Sequence, residues 1–339
     1  MFTINKLAYC AVAMVSAAAL AGCANLGASA ATGAPEESAI TVDSVPAAEE
    51  GGLYVAQANG FFQRQGLTVT INPITGGEAG IPDLQSGKAQ LVGGNYVSFV
   101  LAQMSGEFGG KPASFRVVAP GAQILPGTEA LYVLPDSRFQ TVADLASAHA
   151  RVGLNTKDDV GQVLLGALLA QDGDSFDSID PVVPAGGFTA LISMLRDRQV
   201  DAAWFPQPFG TMVQQQYGAV ELADFDQGSL EEFPFTGYIG TSSWVASHPT
   251  TVAAFDRALA EGQQLADSDH SALEKAYEKY VGLPPIVAAT MPFDTYPLTM
   301  SQAQLQRVSN AMYEFGLEPG RTKPYSTNAM LPRALGTPG

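Results

Sequence analysis

Gly186-Gly187, followed by Leu191-Ile192-Ser193-Met194-Leu195-Arg196-Asp197-Arg198-Gln199-Val200-Asp201-Ala202, reads as a glycine turn, a short helix and a strand. The same unit stands earlier in the chain: Gly76-Gly77, then Ile81-Pro82-Asp83-Leu84-Gln85-Ser86-Gly87-Lys88-Ala89-Gln90-Leu91. Counted from the second glycine, Gln90 lies 13 positions on and Asp201 14. Such units look alike in many proteins, so the repeat alone does not define two domains. It does suit two similar lobes facing each other.

Working outward, Ile40–Val45 reads as a strand, Leu53–Gln63 as a helix and Leu67–Ile71 as a strand. A helix to about Ser86 and the strand Ala89–Val92 follow. This alternation predicts an α/β fold with mostly parallel sheets covered by helices. Thr141-Val142-Ala143-Asp144 and Thr156-Lys157-Asp158-Asp159 both fit a capping box. After the second, Val160, Val163, Leu164, Ala167 and Leu168 fall on one buried helical face. Pro249 suits a first helical turn, with Val252, Phe255 and Leu259 as the apolar face behind it.

The 339 residues are enough for one large or two medium domains with proper cores. Lys and Arg number 17 against 33 Asp and Glu, a net charge of −16. Phosphate backbones repel such a surface, so nucleic acid is not an expected partner. An anionic bilayer would not attract it either, and membrane association needs a dedicated anchor. The two cysteines, Cys10 and Cys23, leave the rest of the chain without a disulfide framework, a catalytic thiol or a thiolate metal site. His149, His248 and His270 share no ligand spacing. Asp172–Asp177 carries Phe176 and Asp177 where a calcium loop needs an oxygen ligand and glycine, so it reads as an acidic loop. No metal or cofactor is expected.

Residues 1–22 read as a signal peptide, with Lys6 as the only charge and an apolar run from Leu7 to Leu20. That run of 14 residues is short of the ~20 a spanning helix needs. Leu20-Ala21-Gly22-Cys23 resembles the lipobox of bacterial lipoproteins. The resemblance implies lipidation of Cys23, loss of Cys10 with the signal, and an extracytoplasmic body anchored to the bacterial cell membrane. Two or more acyl chains hold a protein stably at a bilayer, where one does not. Residues 23–38, the lipidated Cys and a small, polar stretch, read as a flexible tether.

Four further stretches resemble, in order and spacing, the nitrate/sulfonate/taurine group of ABC solute-binding proteins, which includes thiamine-precursor binders. They are Gly52–Phe62, Leu131–Leu134 with Val142–Leu145, Val200–Phe209, and Phe233–Tyr238. The resemblance spans about Gly52 to Leu317. It implies a type II periplasmic-binding-protein fold, with two α/β lobes joined by two crossover strands around a ligand cleft. Lobe one is expected at 39–130 plus 240–339 and lobe two at 131–239. It also implies a monomer that takes a small organic solute, sulfonate/nitrate/taurine-like or thiamine-pyrimidine-like, and hands it to ABC permease and ATPase subunits. One departure is Gln207, where the family often carries an acid between two prolines. Pyrimidine synthases on this fold carry a Cys-rich motif, and no cysteine follows Cys23. An enzyme of that kind, or a sensory lipoprotein without transport, is the alternative.

In open α/β sheets, ligands sit outside the carboxyl ends of the strands. That rule selects Glu50, Gly76, Gly77, Asn95, Tyr96, Thr156, Asp159, Trp204 and Gln207, and the crossovers add Gln123, Thr236 and Tyr238. Gly76-Gly77 precedes a helix whose free N–H groups could hold an anion, unless the pair only makes a turn at positive φ. Asn95 could be an N-cap, Tyr96 could stack on a ligand or pack, and Thr156 and Asp159 could only cap their helix. Trp204 is expected as a flat aromatic wall, and Gln207 as an exposed polar group at the cleft. In the strand-end loops Glu49, Glu50, Glu78, Asp158 and Asp159 face Lys157 alone. This balance leans toward a neutral or cationic solute and away from free sulfonate or nitrate.

Overall fold

The structure, a computed structural model, describes residues 33–105 and 114–331. The signal peptide, Cys23 and the tether as far as residue 32 lie outside the described residues.

Among the described residues, ten strands form two sheets within one compact unit. The first sheet contains β1 (Ala39–Ser44), β2 (Thr68–Pro73), β3 (Leu91–Asn95), β4 (Phe115–Pro120) and β10 (Thr236–Thr241), in the order β2-β1-β3-β10-β4. The second contains β5 (Glu129–Val133), β6 (Arg151–Gly153), β7 (Asp180–Val182), β8 (Ala202–Pro206) and β9 (Val220–Asp224), in the order β7-β6-β8-β5-β9. The plan is the same twice. The second strand in each order pairs in parallel on both sides, β1 with β2 and β3, and β6 with β7 and β8. One antiparallel strand then follows, β10 in the first sheet and β5 in the second. The chain crosses between the sheets twice, from β4 to β5 and from β9 to β10.

The two glycine-led units take equivalent places. Helix Gly77–Ser86 leads to β3 and helix Gly187–Arg196 leads to β8, each beside the antiparallel strand of its sheet. Their turns differ: Gly186 and Gly187 have φ of 121° and 60°, whereas Gly76 is extended at −176°.

Several boundaries move for local reasons. The expected helix Leu53–Gln63 divides into Gly51–Ala58 and Phe61–Arg64, because Gly60 turns left-handed at φ 69°. The expected strand Ala89–Val92 runs from Leu91 to Asn95, because Gly93 and Gly94 pair with Tyr238 and Gly237 of β10. Thr141 forms the full capping box with Asp144. Thr156 does not cap its helix. The helix runs Val160–Gln171, and its cap is Asp159, which accepts from the Val160 N–H at 2.8 Å. Pro249 opens helix Pro249–Ser268.

The largest apolar core joins second-sheet residues such as Leu131, Val152 and Phe205 to Val92, Phe99 and Val117 of the first-sheet side. Leu305, Val308 and Met312 of helix Gln302–Glu314 belong to the same core. This helix is tied to the second-sheet side where Arg307 Nη2 donates to the Ser229 carbonyl at 2.8 Å. The segment after it returns to the first sheet, with Val117 N–H donating to the Met330 carbonyl at 2.8 Å. Among the described residues no helix is long and apolar enough to cross a membrane.

Candidate functional site

The carboxyl ends of the parallel strands in the two sheets meet. After β1 the chain makes one tight turn, Ala48–Glu50, and enters helix Gly51–Ala58. After β8 it passes through Gln207 and Pro208 into helix Phe209–Tyr217. The two turns touch, with Ala48 N–H donating to the Gln207 carbonyl at 2.9 Å. Beside this contact lies a cavity between the lobes. Val45, Glu49, Gly76, Gly77 and Asn95 line it from one side, and Asn155, Val160, Phe188 and Trp204 from the other. Phe235, just before β10, closes one end. The space is about 20 Å³, room for little more than one water, so a larger solute requires the lobes to part.

Two side-chain bonds latch the lobes next to the cavity. Ser98 Oγ donates to Asp159 Oδ2 at 2.6 Å, and Thr156 Oγ1 donates to Glu78 Oε1 at 3.2 Å. Burial, with the nearby Glu78 charge, pushes the Asp159 carboxyl up to about 7. A wider cavity of about 340 Å³ opens beyond the latches, where Glu78, Ser98, Thr156 and Asp159 form part of its wall.

Trp204 is 2% exposed and meets Phe188 edge-on, centroids 5.2 Å apart at 87°. Its indole N–H donates to Glu129 Oε2 at 2.6 Å. Glu129 is 1% exposed, Glu49 7% and Asp294 5%. Burial and their mutual repulsion push Glu49 and Glu129 well above the usual carboxylate range, and burial takes Asp294 to about 7. Among the described residues, Glu49 Oε2 and Glu129 Oε1 make no hydrogen bond.

Of the residues selected from sequence, Gly76, Gly77, Asn95 and Trp204 line the interlobe cavity. Asn95 also caps helix Tyr96–Ser105, accepting from the Ser98 N–H at 2.8 Å. Gly76 and Gly77 are not at positive φ; close approach requires Gly94, whose Cβ would sit 2.8 Å from the Gly77 Cα, while a Cβ on Gly77 would meet Phe99 Cε1 at 3.3 Å and the Gly94 Cα at 3.5 Å. The Glu78 carboxyl already lies against Gly76, where it would meet any added Cβ. Glu50 and Tyr238 form a buried pair behind the site, with Tyr238 OH donating to Glu50 Oε2 at 2.5 Å. Burial raises Glu50 to about 7. Tyr96 is buried against Gly237. Thr236 and Gln123 hold the crossover: Thr236 Oγ1 accepts from Ala122 N–H at 2.8 Å, and Gln123 N–H donates to the Thr295 carbonyl at 3.0 Å.

Gln207 is not the exposed group expected. It is 1% exposed. Its Nε2 donates to the Gly127 carbonyl at 2.8 Å, and its Oε1 accepts from Thr211 N–H and Oγ1 at 3.0 and 2.9 Å. A neutral amide suits that place because it must donate and accept at once. Ser98, Phe188, Glu129 and Asp294 were not singled out from sequence. Glu129 had a signal: it is an acid opening the apolar run Ala130-Leu131-Tyr132-Val133. Asp294 had none.

The sequence model described as NMT1/THI5 like matches residues 48–270. By sequence, no curated protein matches the chain. Solved structures share the fold. The alkanesulfonate-binding protein SsuA from Xanthomonas axonopodis pv. citri, bound to MOPS, superposes with a TM-score of 0.72 at 20% identity, covering 87% of this chain and 98% of that one. The periplasmic aliphatic sulphonate binding protein SsuA from Escherichia coli gives 0.66 at 19%, covering 84% and 94%. The periplasmic nitrate-binding protein NrtA from Synechocystis PCC 6803 gives 0.72 at 14%, covering 86% and 84%. The architecture is thus the two-lobe periplasmic-binding-protein fold of type II.

Proposed function

Because the chain belongs to the NMT1/THI5-like family, we propose that it is the extracytoplasmic solute-binding subunit of an ABC importer. The observation that carries this reading is the cavity at the strand ends, walled by residues that follow both sheets' strands, with two side-chain hydrogen bonds joining the lobes. Such a site is made by lobe closure and opened by lobe separation. The lobes are residues 39–130 with 240–339, and residues 131–239, in a monomer. Captured solute passes to a permease and ATPase that recognise the closed form. Leu20–Cys23 supplies the anchor, with Cys23 lipidated. The reading is of a binder rather than an enzyme, since no cysteine follows Cys23 and the three histidines are scattered.

A thermal-shift screen of sulfonates, nitrate, pyrimidines and amines tests it. A true ligand at 100 times its dissociation constant stabilises the closed form by ~2.7 kcal/mol, and X-ray scattering should show compaction. A screen in which no small solute raises the melting temperature sinks the solute-binding reading. For the anchor, Cys23→Ala should move the protein from the membrane fraction to the soluble one. Unchanged membrane retention would refute lipidation.

A further inference from the structure

We propose that the interlobe cavity takes a small organic cation bearing N–H donors, a primary ammonium or an amidinium, with its charge on Glu49 and its apolar body against Phe188, Trp204 and Phe235. The proposal rests on the solute-binding reading and names the solute class of that same site.

Three features of the cavity point the same way. Its lining holds Glu49 and no Lys, Arg or His. Glu49 is more than nine-tenths buried, and its Oε2 has no hydrogen-bond partner. A carboxylate left so costs several kcal/mol unless a proton or a cation joins it. Asp294 and Glu50 stand close enough to raise the affinity of Glu49 for a proton, Glu49 does the same to Glu129, and Glu129 Oε1 makes no hydrogen bond. A ligand with two or three N–H donors supplies what these oxygens lack. The third feature is the wall: Phe188 and Trp204 offer aromatic surface beside the acid, and aromatic faces attract ammonium groups.

The opposite charge fits poorly. Of the helix N-termini at the cavity, that of Gly77–Ser86 already faces the Glu78 carboxyl, which would repel an incoming oxyanion, and those of Tyr96–Ser105 and Val160–Gln171 are capped by Asn95 and Asp159; only that of Gly187–Arg196 has no side-chain cap. A bare metal ion fits no better, since among the described residues no group of three or more His, Cys, Asp and Glu is arranged to hold one. The net charge of −16 also draws cations toward the protein.

Calorimetry with butylammonium, benzamidinium, butan-1-ol, taurine and nitrate tests the assignment. One or both cations should bind while butanol, taurine and nitrate do not. Glu49→Gln should weaken the cation at least tenfold. The free variant should melt no lower than wild type, because a neutral amide replaces a buried carboxyl that the free protein holds protonated; Glu129→Gln is the second variant should the first fail to fold. Binding of taurine or nitrate with both cations inert would overturn the charge assignment and leave solute binding standing. Both cations inert, whatever else binds, also overturns it. Cation binding untouched in the variants would remove these acids from the site.

Discussion

At the scale of single residues, small groups set how closely the walls approach. Gly94 lies against the backbone of Gly77, which cannot rotate away as a side chain could. Gly94→Ala should therefore cost about 1–3 kcal/mol, the usual penalty of overpacking. A denaturant titration checks this, and an unchanged midpoint would show that the contact is looser than described. Trp204 tests the polar side of the same wall. Trp204→Phe keeps an aromatic face but strips Glu129 Oε2 of its donor. A buried acceptor left unpaired costs about 1–3 kcal/mol. Stability equal to wild type would mean that Glu129 finds another partner.

At the scale of elements, the first turn of helix Tyr96–Ser105 reaches across to the start of helix Val160–Gln171. Ser98 supplies the hydroxyl, and Asp159 receives it while capping its own helix. Ser98→Ala leaves a buried carboxyl oxygen bare in the closed form only. Ligand affinity should fall about tenfold, which corresponds to ~1.4 kcal/mol. Asp159→Asn retains a cap and an acceptor for Ser98 and should lose much less. Equal losses in the two variants would argue against the latch.

At the scale of the molecule, the buried acids dominate the response to pH. Glu50, Asp159 and Asp294 are each raised to about 7, mainly by burial. Glu49 and Glu129 are also raised, well above the usual carboxylate range. The groups facing them are acids and tyrosines: Glu78 at Asp159, Tyr238 and Asp294 at Glu50, and Asp224 at Glu129. In the unfolded chain these carboxyls return to ~3.9 and ~4.3. The native state then binds more protons than the unfolded state between those values and about 7. The stability so gained is complete below about pH 4 and is lost as pH rises through about 7. The unliganded protein should melt several degrees lower at pH 8 than at pH 5. A melting temperature that rises over this window would show that the acids are ionised and paired in the native state.

The α/β order, both glycine-led units and the strand-end loops were legible in the sequence, because periodicity and turn residues act locally. Gly76, Gly77, Asn95 and Trp204 could be selected because ligand sites in such sheets follow from strand direction alone. What the sequence could not decide is which polar side chains find partners. Gln207 looked exposed between its prolines, yet tertiary packing buries it and satisfies both ends of its amide. Glu129 and Asp294, 165 positions apart in the chain, become neighbours only when the crossovers bring the two sheets together. Their charge is local chemistry, but their burial belongs to the fold.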